Sequence, residues 1–244
     1  MRLGLMFILL AMVWPAIAST CYPQLHNDIQ IRDGNVLIQQ YGETFTISER
    51  GTLKFAVHNV SLRDEQQRAL ADYYAMLVTD LPYMRMTLRS ELHDVVRHVD
   101  SLLVDQLGAQ SGSRVQLAQF HHQMDMQVGQ VFGFDEPHFR YQRLLEFSSQ
   151  IEGQVDQLML NMGVSGMKDL ALQPVPEGQE RMVVVTERLT ELKDSVTDLL
   201  RDKRPKVQTL THNFCQRLAR WERQENHIQS LIPALKDWQT VTLH

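Results

Sequence analysis

The residues best suited to chemistry in this 244-residue chain are clustered at His121-His122-Gln123-Met124-Asp125-Met126. Imidazole and thioether are suitable ligands for copper, and imidazole for zinc, so His121, His122 and Met124 form its candidate metal set. Helix geometry works against them. Adjacent helical residues diverge by about 100°, and Met124 and Met126 point to nearly opposite sides, so one ion would need further ligands. The competing reading places Met124 in a core and leaves the histidines partly exposed. Met84 and Met86 form a second Met-x-Met pair under the same constraint.

Other constellations carry less. His93-Asp94-Val95-Val96-Arg97-His98 spaces its histidines by five, with Asp after the first; a zinc-protease helix needs His at i and i+4 with Glu after the first. Gly163-Val164-Ser165-Gly166 lacks the spacing of a nucleophile elbow, and no Walker A loop is present. Paired acids such as Asp64 and Glu65 are expected wherever a helix dipole begins. The sequence therefore predicts a protein that is not an enzyme and needs no cofactor.

What positions these residues begins with an address. Arg2, an apolar run from Leu3 to Trp14, Pro15 and then Ala16-Ile17-Ala18 form a cleavable export signal, with cleavage expected after Ala18. The apolar run is too short to span a hydrocarbon core of about 30 Å. Thr20 immediately before Cys21 departs from a lipoprotein signal, so release into the periplasm is expected rather than lipidation. There, Cys21 and Cys215 pair by default. Their bridge would close almost the whole chain, a constraint on the unfolded state of about 5 kcal/mol.

A net charge of −5, with bases interleaved among acids, argues against nucleic acid and anionic membrane surfaces as partners. No second apolar run approaches eighteen residues, so no transmembrane segment is expected in the mature chain.

Beyond Ser19 the pattern has period two. Ile29 and Ile31, Val36 and Ile38, Phe45 and Ile47, then Leu53, Phe55 and Val57 alternate with polar residues, separated by turns at Asp33-Gly34-Asn35, Tyr41-Gly42 and Arg50-Gly51. That is an antiparallel meander with one buried face. After Val60 the period becomes helical. Asp64 with Gln67 suggests a capping box, and Leu70, Tyr73, Leu77, Leu81, Met84, Leu88, Leu92, Val95, Val99, Leu102 and Leu107 carry a stripe interrupted at Pro82 by a kink or break. A second helix is expected from about Ser113 to Val131 on Val115, Phe120, Met124 and Val128. A third follows Pro137 towards Met162, and a long loop is expected at Gly163 to Gly178. The last helical stretch begins near Gln179, with Pro205 as kink or boundary, and ends at Pro233. Trp238, in the post-proline tail, is a candidate contact surface.

The export signal, the early Cys21, the Gly-punctuated meander, VSLRDEQQRALADYYAMLVTDLP at Val60 to Pro82, and Cys215 leading to Leu231-Ile232-Pro233 together resemble the YggN-like family. These are uncharacterised proteins of Gram-negative bacteria. The resemblance implies a periplasmic location and this architecture, and brings no catalytic residues with it. The sequence thus predicts an α+β protein: a signal at 1–18, a β-meander at 19–60 packed on the helical body, and a bundle of long, partly kinked amphipathic helices at 61–244. The expected function is non-enzymatic binding or scaffolding of a protein or peptide partner in the cell envelope. The alternative is a periplasmic copper- or zinc-binding protein using His121, His122 and Met124.

Overall fold

A computed structural model of the chain describes residues 23–40, 42–236 and 238–243. The expected export signal, its expected cleavage point and Cys21 lie outside the described residues. Within them the protein is α+β, an antiparallel sheet followed by long helices, as the pattern requires. Strands β1 (Pro23–Leu25), β2 (Asp28–Arg32), β3 (Asn35–Gln40), β4 (Glu43–Ser48), β5 (Leu53–Phe55) and β6 (His58–Val60) precede the helices. Two later strands, β7 (His138–Phe139) and β8 (Val241–Leu243), join them. The main sheet runs β6-β5-β4-β3-β2-β7, antiparallel throughout, and β1 pairs separately with β8.

The meander follows from local chemistry. Asp33 and Gly34 both have positive φ (50° and 68°), and Arg32 faces Asn35 across them. This is the left-handed two-residue turn whose twist matches that of the flanking strands. The register sets Ile29 opposite Ile38, Val36 opposite Ile47, and Ile47 opposite Leu53. All five are buried, so one face is continuous aliphatic core. Val57, expected on this face, is not. Ala56 takes positive φ (51°), the chain turns through Ala56 and Val57 into β6, and Val57 is exposed.

Helices α1 (Asp64–Leu107), α2 (Gly112–Phe132), α3 (Tyr141–Ala171) and α4 (Arg181–Leu231) make up most of the chain. Gln66, rather than Gln67, completes the start of α1: its side chain accepts the Arg63 N–H at 2.8 Å. The α2 cap is fuller. Ser111 Oγ accepts the Ser113 N–H at 3.1 Å, and Asp169 accepts from the Gly112 N–H at 3.0 Å and from Ser111 Oγ at 2.7 Å. Pro82 and Pro205 both lie inside continuous helices. Each removes a backbone donor at a cost of about 3 kcal/mol, and at Pro82 the buried Leu81 and Met84 beside it offset that loss.

The expected long loop and the expected start of the third helix are both displaced. Gly163 and Gly166 lie within α3, which ends at Ala171, so the loop is shorter than Gly163 to Gly178. Gly166 is a packing residue: a Cβ there would sit 3.4 Å from Ser113 Oγ and 3.5 Å from Leu107 and Leu189 methyls. Pro137 precedes β7, not a helix, and α3 begins at Tyr141. On α2 the buried stripe is Leu117, Met124, Val128 and Val131, whereas Val115 is exposed.

By compactness the chain divides into two units that do not follow its order. The sheet unit comprises the described residues up to Met86, then Gly129–Arg143 and Pro205 onwards. Its core joins the sheet face to Leu70, Tyr73, Leu77 and Leu81 of α1 and to Trp221 and Ile228 of α4. The helical unit comprises Thr87–Val128 and Leu144–Arg204. Val99, Leu103, Leu107, Leu117, Leu170 and Val185 form its core.

In the sheet unit, Gly51 (φ 72°) presses against α1 so closely that a Cβ would lie 1.8 Å from the Gln67 carbonyl oxygen. Gly51→Ala must therefore displace backbone and strain φ together. The expected loss is about 2–4 kcal/mol, read as a lower urea midpoint, while Gly34→Ala, with open space around it, loses less.

Candidate functional site

Two carboxylates are buried in the sheet unit, and both are occupied by structural partners. Glu225 of α4 is fully enclosed. Its Oε1 accepts from the Tyr73 hydroxyl at 2.5 Å and from the Thr240 hydroxyl. Its Oε2 accepts from the backbone N–H groups of Thr240 at 3.0 Å and Val241 at 3.4 Å. Burial pushes the Glu225 carboxyl up to about 7, against the pull of these hydrogen bonds. Burial, then the adjacent Glu225 carboxylate, pushes the Tyr73 phenol up as well. Asp80 of α1 accepts from Trp221 Nε1 at 2.8 Å, and pairs with Arg217 and, at 3.4 Å, Arg220. Arg217 also lies 3.7 Å above the Tyr83 ring.

These groups bind the chain to itself. Gln66 and Gln224 donate across the α1–α4 contact to the Leu231 and Ala69 carbonyls at 2.7 and 2.8 Å. Trp238, expected at a contact surface, is buried instead. Its ring packs edge-on to Tyr73 at 5.5 Å and against Phe45 at 6.1 Å. The tail after Pro233 folds back because β8 finds a partner strand in β1, a long-range pairing that no local pattern announces. A polar cleft of about 620 Å³ in this unit includes His26, Asp28, Glu43 and Tyr141. There Asp28 accepts the Tyr141 N–H at 2.9 Å and caps α3.

The proposed metal ligands are not gathered. Met124 is buried in the helical unit, while His122 on the same helix is exposed and His121 is half-buried. Among the described residues no group of three or more His, Cys, Asp or Glu is placed to hold an ion. His121 instead meets His93, ring centroids 5.6 Å apart, as one rung of an antiparallel ladder between α1 and α2. The flanking rungs are a two-pronged Arg89–Asp125 pair at 2.6 Å and an Arg114–Asp100 pair at 2.7 and 2.9 Å. The Arg114 guanidinium holds the Asp100 carboxyl below its ordinary range. Further along α1, Lys203 at 2.6 Å and then Arg97 hold Asp94 well below it.

The feature with no structural occupant is apolar. Leu160, Val164 and Met167, at i, i+4 and i+7 on α3, are 62%, 44% and 47% exposed. Leu172 in the following loop and Met182 and Val183 opening α4 are 87%, 60% and 48% exposed. All belong to the helical unit. Only the tertiary structure separates such a stripe from a core stripe, since both have the same period. Among the described residues no helix is long and apolar enough to cross a membrane.

The profile of a family described as "Protein of unknown function (DUF2884)" matches residues 21–241. No curated protein and no solved structure matches the chain.

The raised Glu225 carboxyl makes stability pH-dependent with a definite sign. Its folded value, about 7, lies above the unfolded value of 4.5. Between these the native state keeps a proton that the unfolded chain has released, so this contribution is fully present below pH 4.5 and is lost as pH rises through 7. The loss by pH 8 is about 3 kcal/mol. Glu225→Gln mimics the protonated group, since its amide can donate to the hydroxyls while its oxygen accepts the two backbone N–H groups. Urea midpoints at pH 5 and pH 8 should show wild type weaker at pH 8 and the variant nearly level. A wild-type fall that Glu225→Gln leaves intact would assign the effect elsewhere.

Proposed function

The chain belongs to the DUF2884 family, and we propose that it is an exported, non-enzymatic protein of the Gram-negative envelope that binds or scaffolds another protein. The observation that carries this reading is the exposed apolar stripe of Leu160, Val164 and Met167 on α3, with Leu172, Met182 and Val183 of the same unit exposed as well. Exposed apolar residues scattered singly are ordinary, but a run at i, i+4 and i+7 along about two turns is the pattern by which helices dock on partners. The buried carboxylates support the non-enzymatic side of the reading. Glu225 and Asp80 spend their oxygens on bonds to the protein's own backbone and side chains.

The export signal and the YggN-like features of Val60 to Pro82 and Cys215 to Pro233 support the periplasmic address. Direction supports the Cys21–Cys215 bridge. Along β8, Thr240 and Val241 bond to Glu225, and Leu243 bonds to Glu222 at 3.1 Å, so β8 advances towards the start of α4. Pro23 of β1 lies opposite Leu243, so β1 traced backwards heads the same way. Cys215, half-buried, is two helical turns beyond Glu222, about 10 Å.

Two measurements test this. Intact mass of protein released by osmotic shock should correspond to a chain starting at Ser19 and two hydrogens light. Retention of Met1 in the cytosolic fraction would overturn export, and full reducing mass would overturn the bridge. Leu160→Glu with Met167→Glu should abolish cross-linked complexes in the envelope without lowering the unfolding midpoint, because both residues are exposed. Complexes that survive the double variant would remove the apolar face from the proposal.

A further inference from the structure

A second feature of the helical unit matches a ligand of different chemistry. Between α2 and α3 runs a groove of about 460 Å³, within the size range of small-ligand sites of about 300–1,000 Å³. Gln116, Gln119 and Gln123 line one wall at i, i+3 and i+7, and Gln150, Gln154 and Gln157 line the other at i, i+4 and i+7. No charged residue lines it, in a chain that is 22% charged. Phe120 and Leu158 supply its apolar part. At Gly153 the wall is recessed, for a Cβ there would meet nothing within 4 Å.

The hydrogen-bonding state of the walls narrows the ligand. Each carboxamide presents two donors and one acceptor without charge. Gln157 Nε2 donates to Asn161 Oδ1 at 2.9 Å, which holds that end of the wall in place. Gln154 Oε1 is buried and has no partner. That atom is closed to solvent, so a ligand meets it only if the Gln154 side chain rotates into the groove, where an O–H or N–H donor regains the about 1–3 kcal/mol that an unpaired buried acceptor costs. With no cation in the walls, phosphate and carboxylate ligands find nothing to neutralise them. The ligand must be neutral, carry donors and acceptors at short intervals, and own an apolar face for Phe120.

We propose that this groove binds a neutral oligosaccharide, its hydroxyls bridging the facing carboxamides, one of them donating to Gln154 Oε1, and the C–H face of a ring resting on Phe120. The span from Ser149 to Asn161 on α3 is about 18 Å, long enough for a short chain of rings.

The test is titration of the full mature protein with chitotriose, maltotriose and cellotriose, followed by NMR of the side-chain amide groups. At least one sugar should give saturable shifts confined to glutamine amides of the groove. Gln154→Ala should weaken that binding about tenfold, as expected for one lost bond to a buried acceptor. Phe120→Ala should weaken it by a similar factor, and Gln150→Ala, at an exposed position, guards against variants that fail to fold. Failure of all three sugars to bind would overturn the proposal. So would binding that Gln154→Ala and Gln150→Ala leave unchanged, or equal binding of the neutral peptide Ala-Gln-Ala. None of these outcomes touches the apolar face, so the two proposals stand or fall separately.

Discussion

The sheet unit depends on how one buried acid is satisfied. Glu225 sits where water cannot reach it, and a carboxylate in such a place is costly unless donors surround it. Four do, and three of them come from Thr240 and Val241, near the far end of the chain. Satisfying the acid therefore means bringing the tail back. Once the tail is held, β8 can pair with β1, and Trp238 is set between Tyr73 and Phe45. One polar cluster thereby specifies the placement of one of the two buried tryptophans of this core. The second buried acid, Asp80, ties α1 to α4 through Trp221 in the same manner.

Much of this architecture was legible from local rules. The Asp33-Gly34 turn, the alternation from Ile29 to Leu53 and the stripe from Leu70 to Met84 each state one period clearly, and each period survives in the fold. What escaped depends on contacts between distant residues. Strands of two or three residues, such as β7 and β8, are too short to show a period. Trp238 looked like a surface residue because nothing in its neighbourhood reveals that β1 awaits the tail. Gly166 looked like a loop residue, because glycine at a helix contact and glycine in a turn are the same letter. Val57 and Val115 extended real stripes, but a turn at Ala56 takes Val57 outwards, and Val115 falls outside the buried stripe of α2.

The site was less legible than the fold, for a related reason. A metal reading of His121, His122 and Met124 rests on adjacency in sequence, whereas a helix disperses neighbours and gathers residues from other elements. The actual companion of His121 is His93, on another helix. Similarly, Leu160, Val164 and Met167 follow the same rhythm as buried leucines, and only the fold shows that they stand exposed. Glutamines attract little notice in a sequence because they neither titrate nor pattern strongly. Facing one another across a groove, they become its most distinctive chemistry.

The pairing of β1 with β8 also constrains time. Residues 23–25 are synthesised early and residues 241–243 very late, yet each needs the other. The helical unit, made wholly of residues 87–204, has every contact it needs well before the tail emerges. The sheet unit cannot close until the last turn of α4 and the tail beyond it are available, so its contacts are among the most non-local the chain can make. Such a unit stays open throughout synthesis. The two units therefore complete in a fixed order, the helical one first.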